Sequence, residues 1–320
     1  MSTDEQFMKR CLSLAMNGLG KTYPNPLVGC VVVKNAEIIG EGWHRKAGLA
    51  HAEVDALEHL TPGNVAKGAT VYVNLEPCSH FGRTPPCSDR LIAEGVSKVV
   101  ICNTDPNPLV AGRGIERLRR AGIEVVTGIL ETEGRLVNRR FFHFHEQQRP
   151  YIIAKWAESA DGYIGGGESQ IQISDNIHRR KVHRWRSEEA AIMVGANTVR
   201  TDNPQLTVRD WTGNNPLRIV VDRKGSLPKN ARVFNDEAPT LILSEKTIND
   251  VDHLCFDMSD WSWLEKLMTE LYKKNVQSIL LEGGSQLLEA FYKAGLIDEV
   301  RRYINNNLYL KDGIKAPLIK

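Results

Sequence analysis

The tightest constraint on this chain is a set of four side chains between positions 51 and 87. His51 and Glu53 form an H-x-E pair, Cys78 follows Pro77 after an intervening strand-like run, and Cys87 closes a loop ending in Pro85-Pro86. One imidazole and two thiolates fill three positions of a tetrahedral Zn2+ and leave the fourth to water, which suits a catalytic site rather than a closed structural one. Zinc acidifies such a water. Glu53, not itself a ligand, is expected to take its proton and pass it to a leaving nitrogen. The chemistry implied is hydrolytic removal of an amino group from an aromatic ring.

The elements that carry these residues follow from periodicity. Residues 5–19 repeat at helical spacing, Leu27–Val33 and Glu37–His44 read as a hairpin, and His51 opens a helix running to about Leu60. Ala69–Leu75 is a β-branched strand leading into Pro77-Cys78, and Cys87–Glu94 begins another helix. Strands at Lys98–Asn103 and Glu124–Gly128 flank a helix over Ile115–Ala121, and Glu131–His145 reads as one further helix. The first half is thus a layered α/β unit, antiparallel at its start and parallel afterwards. His51 and Cys87 near helix starts gain from the positive dipole end, which favours thiolate over thiol. The usual signature places two residues between the cysteines; here Ser79 to Pro86 intervene, a loop long enough to line a pocket for a substrate unlike plain cytidine.

After Gln147-Gln148-Arg149-Pro150 the pattern restarts. Strands at Tyr151–Glu158, Ala191–Gly195, Leu217–Asp222, Thr240–Ser244 and Ser278–Glu282 alternate with helices at Asn176–Glu189, Trp261–Lys274 and Ser285–Ala294. This order predicts a second, mainly parallel sheet covered on both faces. SILLEGGSQLLEAF places a Gly283-Gly284 turn between strand and helix, where exposed N–H groups suit a phosphate. A plain strand–helix connection explains it about as well. VGANTVRTDNPQLTVR reads as a strand followed by a long polar loop. The basic run Arg179, Arg180, Lys181, Arg184, Arg186 is ordinarily a solvated helix face.

Net charge of +2 and 7% aromatic content give no reason to expect a nucleic-acid deaminase or membrane binding. Of the cysteines at 11, 30, 78, 87, 102 and 255, two go to metal and the other four read as reduced core thiols, not a secreted disulfide framework. The first residues carry acids and no uninterrupted apolar run, so no signal peptide is expected, and the expected location is the cytoplasm.

TYPNPLVGCVVV, GEGWHRKAG, HAEVDAL, EPCSHFGRTPPC and DPNPLVAGRG resemble the bacterial bifunctional riboflavin-biosynthesis family. So do KWAESADGYIG, GANTVRTDNPQLTVR, LRIVVDR and LEGGSQL in the second half, and the resemblance covers nearly the whole chain. It implies a cytidine-deaminase-like three-layer α/β/α domain over residues 1–146, then a dihydrofolate-reductase-like α/β domain over residues 147–320. It implies zinc-dependent deamination of 2,5-diamino-6-(5-phosphoribosylamino)pyrimidin-4(3H)-one, then NADPH-dependent reduction of the ribosyl group of the resulting uracil to ribityl. The competing reading keeps the deaminase alone and makes the second domain an inactive or regulatory nucleotide-binding module.

By the same resemblance His51, Cys78 and Cys87 hold zinc and Glu53 shuttles protons, while Asn25, His44, His80 and Arg83 line the deaminase pocket. Ser169, Arg186, Leu206, Arg209 and Glu282 fall at reductase substrate positions. Glu158, Gln172, Thr198, Asp202, Arg223 and the turn Gly284, Ser285, Gln286, Leu287 fall at cofactor positions, with Lys155 a further candidate for that pocket. Arg186 and Arg209 suit a phosphate, since guanidinium pairs with its oxygens bidentately. Gln172 replaces a tryptophan common in relatives, and Arg223 stands where a small hydroxyl residue is frequent. Self-association into a dimer or higher homo-oligomer is implied through the reductase half.

Overall fold

Strand β1 (Gly29–Lys34) is buried on both faces: Val31 and Val33 turn to one side, Cys30 and Val32 to the other. A strand with no wet face needs helices above and below its sheet. A computed structural model describes residues 2–79, 81, 85–107, 110–165 and 171–319 and shows this arrangement. The chain divides into two units, Met1–Gln147 and Gln148–Lys320. His80, Arg83 and Ser169, expected at the sites, lie outside the described residues.

In the first unit β1, β2 (Glu37–Trp43), β3 (Thr70–Leu75), β4 (Lys98–Asn103) and β5 (Glu124–Thr127) form a sheet in the order β2-β1-β3-β4-β5. β1 runs antiparallel to β2 and β3, and the remaining pairs are parallel, as the sequence implied. Helix α1 (Thr3–Ala15) covers one face with Met8, Cys11, Leu12 and Leu14. Its start is fixed by a Ser2–Glu5 capping box, which satisfies two amides the helix cannot bond internally. On the other face α2 (Ala52–Glu58), α3 (Cys87–Ala93) and α4 (Arg113–Arg120) bury Ala56, Leu91 and Leu118 against Val32, Val73 and Ile101.

Two backbone approaches position the helix that bears the H-x-E pair. A Cβ on Gly42 would lie 2.3 Å from Ala56 N, and one on Gly40 2.7 Å from Ala56 O, so β2 touches α2 backbone to backbone. Gly42→Ala should therefore displace α2 and lower stability by about 1–3 kcal/mol through overpacking. A Tm unchanged from the parent chain would contradict this.

The single helix expected over Glu131–His145 is two, α5 (Glu131–Val137) and α6 (Arg139–Gln147). Asn138 interrupts it. Its Oδ1 accepts Leu27 N–H and its Nδ2 donates to Leu27 O, both at 2.8 Å, a tie across 111 positions that leaves no periodic trace.

The second unit holds β6 (Tyr151–Ser159), β7 (Tyr163–Gly165), α7 (Asn176–Glu188), β8 (Ala191–Gly195), α8 (Ala196–Asp202), β9 (Leu217–Val221), β10 (Thr240–Ser244) and β11 (His253–Cys255). After these come α9 (Trp263–Lys273), β12 (Ser278–Leu281), α10 (Ser285–Lys293), β13 (Glu299–Asn305) and β14 (Ile314–Lys315). Seven strands pair in parallel in the order β11-β10-β9-β8-β12-β6-β13, while β14 pairs with β7. Ala191, Met193, Ile219 and Leu241 face α9 and α10, whereas Ile192, Val194, Val220 and Ile242 face Val199, Ala231 and Val233. The mainly parallel sheet with two covered faces is as expected.

Three details differ from the sequence reading. The supposed polar loop after β8 contains α8, held by only two buried residues, Ala196 and Val199, too sparse for a helical period. The sequence reading has no strand at β7, β11, β13 or β14, and the alternating exposure of β13 marks a sheet edge. Cys255 is exposed, not a core thiol like Cys11, Cys30 and Cys102. One further residue stands out in β9. Arg218 is fully buried and donates to the carbonyls of Gln205, Arg232, Asn235 and Ala238 and to Asn235 Oδ1, so a side chain rather than a ladder ties two loops together. Among the described residues no helix is long and apolar enough to cross a membrane.

Candidate functional site

His51 caps α2 with extended backbone and Glu53 sits in its first turn; Cys78 leaves β3 through Pro77, and Cys87 is the first residue of α3. These local choices bring three donors to one point. His51 Nδ1 stands 3.3 Å from Cys87 Sγ and 3.6 Å from Cys78 Sγ, and all three ligand atoms lie within 4.8 Å of one another. Around a tetrahedral zinc, bonds of about 2.0–2.3 Å put nitrogen and sulfur roughly 3.5 Å apart. The donor set therefore fits Zn2+ in both chemistry and spacing.

The electrostatics already favour a cation. Cys78 is held down to about 4, first by donation from the Cys87 thiol and also by His51 and the Cys87 N–H, which lies 3.3 Å from its sulfur. Cys87 moves up because it keeps the proton it shares with Cys78. His51 is raised to about 9, chiefly by its contact with Cys78. A divalent metal takes the place of the protons stored on this trio. Glu53 is 3% exposed, and burial lifts its carboxyl to about 7 against the opposing pull of His51. Burial thus sets a proton-accepting carboxyl beside the trio, and a bound Zn2+ would draw its pKa back down.

Behind the trio, the His44 ring lies edge-on to His51 with centroids 5.5 Å apart. Its Nδ1 faces Ala50 O at 2.9 Å, so that nitrogen carries the proton, and Nε2 accepts from Asn25 Nδ2 at 3.0 Å. Burial lowers the His44 pKa and keeps the ring neutral. Asn25 therefore has its amide nitrogen engaged. Sequence reasoning missed three carboxylates here. Asp55 accepts from Trp43 N–H and Arg45, fixing α2 against the end of β2. Glu76 and Asp105 are buried, with Asp105 N–H donating to Glu76 Oε2 at 3.3 Å, and burial raises the Asp105 carboxyl to about 6. The acid directly ahead of Pro77-Cys78 was the available signal.

In the second unit, Glu282 extends past β12 and receives Arg186 bidentately, Nε to Oε1 and Nη2 to Oε2, both 2.9 Å. Lys155 Nζ on β6 lies 3.8 Å from Glu282 Oε2. Burial pushes the Glu282 carboxyl up, but Arg186 and Lys155 outweigh it and hold it at about 2. Arg186 Nη1 also reaches Thr207 O, and Arg209 Nη1 reaches Thr207 Oγ1. Arg209 N–H donates to His183 Nδ1, and Leu206 is buried beneath them in the core. Because Arg186 is committed to Glu282, Arg209 is the more open guanidinium of the expected phosphate pair.

At the C-terminal ends of the neighbouring strands β8 and β12, Gly195 N–H donates to Gly283 O at 2.9 Å. α10 begins at Gly284 without a side-chain cap, and a Cβ on Gly284 would lie 3.7 Å from Thr198 Oγ1. Uncapped amides at strand ends of a parallel sheet fit the phosphates of NADPH. Ser285 donates to Lys315 O, and Leu287 is a core side chain, so its position can serve a ligand only through its backbone. Gln286 and Asp202 are exposed nearby in sequence, and burial raises Asp202 somewhat. Other expected cofactor residues are engaged elsewhere: Glu158 with Trp156 and Arg302, Arg223 with Glu245 on the surface, and Gln172 with Ser174 O. Alternation along β6 also sends Glu158 to the face opposite Lys155.

A family model described as the cytidine and deoxycytidylate deaminase zinc-binding region matches residues 1–103, and one for the RibD C-terminal domain matches residues 150–308. Riboflavin biosynthesis protein RibD of Aquifex aeolicus is 43% identical over 94% of this chain and 86% of its own length. The RibD protein of Escherichia coli is 40% identical over 97% and 89%. A solved deaminase/reductase from Thermotoga maritima matches with a TM-score of 0.90 at 39% identity, covering 98% of this chain and 89% of that one. Acinetobacter baumannii RibD matches with a TM-score of 0.90 at 37% identity, covering 99% and 90%.

Proposed function

The chain belongs to the RibD family of bifunctional riboflavin biosynthesis proteins, and we propose from that premise how its two sites divide the work. The first unit removes the 2-amino group of 2,5-diamino-6-(5-phosphoribosylamino)pyrimidin-4(3H)-one by hydrolysis. The second reduces the ribosyl group of 5-amino-6-(5-phosphoribosylamino)uracil to ribityl. The observation that carries the reading is the convergence of His51, Cys78 and Cys87 beside a buried Glu53.

His51, Cys78 and Cys87 would hold zinc, which when bound acidifies a water for attack on the ring carbon. Glu53 accepts the proton of that water and delivers it to the departing nitrogen, so ammonia leaves as a neutral molecule. Asn25, fixed by the neutral His44, presents its amide oxygen to ring N–H groups. His80 and Arg83 remain expected contacts of the same pocket.

NADPH when bound supplies the hydride for the second reaction. The α10 start at Gly284 and Ser285, with Thr198, would hold its phosphates. Lys155 offers the proton donor that opening of the sugar ring requires, Glu282 holds Lys155 and Arg186 in place, and Arg209 takes the substrate phosphate. The chain acts in the cytoplasm on small phosphoribosylaminopyrimidines, and it self-associates through the reductase half.

One coupled assay tests the whole reading. With the diaminopyrimidine supplied, ammonia release is expected first and loss of NADPH absorbance second. Ammonia without NADPH oxidation would leave only the deaminase half standing.

A further inference from the structure

His183 has no part in the reaction as described, yet it is only 5% exposed and sits one turn before Arg186 on the same side of α7. Its Nδ1 accepts the backbone N–H of Arg209 at 3.1 Å. That nitrogen therefore carries no proton, and Nε2 bears it, 3.5 Å from Asp210 Oδ2. Burial first, and the charges of Arg186 and Arg209 after it, lower the His183 pKa and keep the ring neutral.

The peptide that His183 grips closes a run in which each residue is pinned by a different part of the unit. Leu206, at φ +56, is buried in the core. Thr207 O accepts from Arg186 Nη1 at 3.3 Å, and Val208 N–H donates to Asn215 Oδ1 at 2.8 Å. Arg209 comes last, with its N–H on the imidazole and its Nη1 3.1 Å from Thr207 Oγ1. The residue is nonetheless exposed, so a fixed backbone carries a guanidinium that a phosphate can reach. An arginine presented in this way has less freedom to lose when it closes on an anion.

We infer that His183 is a positioning residue of the reductase: by accepting the Arg209 N–H it holds that guanidinium in place for the substrate phosphate, and so sets substrate affinity rather than the rate of hydride transfer. The phosphate sits at the far end of the sugar from the carbon that is reduced, so the two effects separate. What the bond needs is an acceptor at the Nδ1 position. Asparagine places its carbonyl oxygen there, whereas glutamine carries its amide out to the level of Nε2.

The inference rests on the reading that Arg209 takes the phosphate, and Arg209→Ala tests that first. The KM for 5-amino-6-(5-phosphoribosylamino)uracil should rise roughly fiftyfold, the scale of a bond to a charged group. An unchanged KM there would sink that reading, and the inference with it. In His183→Gln the same KM should rise roughly tenfold while kcat and the KM for NADPH stay within about twofold. The Arg209 amide should exchange faster with solvent, with ammonia release by the same chain unaltered. His183→Asn should return KM to within about threefold of the parent value. Added to Arg209→Ala, His183→Gln should raise KM no further, because the two act through one group.

Four results overturn the inference while leaving the phosphate reading intact: an unchanged KM in the glutamine variant, a loss of kcat in place of the KM effect, an asparagine variant no better than the glutamine one, or a full further rise in the double variant. If the glutamine variant does not accumulate folded, the asparagine variant decides. A near-parental KM with a protected Arg209 amide supports the bond, and a raised KM or an unprotected amide refutes it.

Discussion

Glu53→Gln should retain zinc and lose deamination, with kcat falling about 10²–10⁴-fold, the usual contribution of a positioned acid–base group. The amide is nearly isosteric with the carboxylate, and Glu53 is 3% exposed within α2, so the fold has little reason to respond. The three donors come from His51, Cys78 and Cys87, none of which changes. What disappears is the capacity to take up and return a proton, which an amide lacks. Metal analysis beside an ammonia assay checks this, and a variant that deaminates at the parent rate would remove Glu53 from the reaction. The NADPH-dependent step, supplied with its own uracil substrate, should proceed unaltered.

Glu282→Gln should abolish reduction and weaken the second unit by about 3–5 kcal/mol, the range for breaking one side of a buried ion pair. Arg186 makes two 2.9 Å bonds to this carboxylate and Lys155 sits 3.8 Å away, so the neutral side chain leaves two buried cations facing each other. For a unit of this size the loss corresponds to a Tm lower by on the order of 10 °C. Acid titration does the same to the native protein. Because the folded value is depressed to about 2, the stabilisation is complete above the ordinary carboxylate pKa near 4.5 and is lost as pH falls from there toward 2. Calorimetry of the variant, with ammonia release followed separately, checks both parts. A Tm equal to that of the parent would show that the ion pair does not bear on stability.

Most of the first site was legible in the sequence because its chemistry needs particular atoms in a particular order. His51, Glu53, Cys78 and Cys87 could be picked from residue type and spacing, and the hairpin and following parallel strands from runs such as GCVVVK. Partnerships were not legible. Nothing local says that Asn138 pairs with Leu27 and so splits a helix, or that Glu76 collects amides from residues 105 to 115. The second site was less readable for the same reason. Arg186 looked like a phosphate ligand until its partner, 96 positions away, came into view. α8 escaped because two buried residues, Ala196 and Val199, cannot announce a period.

Arg218 gives the second unit a fastening of another kind. Guanidinium does not surrender its proton at any acidity a cell meets, and its five acceptors are uncharged oxygens. Acid cannot unlatch it. The loops it anchors, one of which leads through Gln205 to Thr207 and Arg209, should thus keep their places while acid dismantles the Glu282 pair beside them. Inactivation as the pH falls toward 2 would then be a repairable injury, undone on neutralisation because the frame around the pocket never let go.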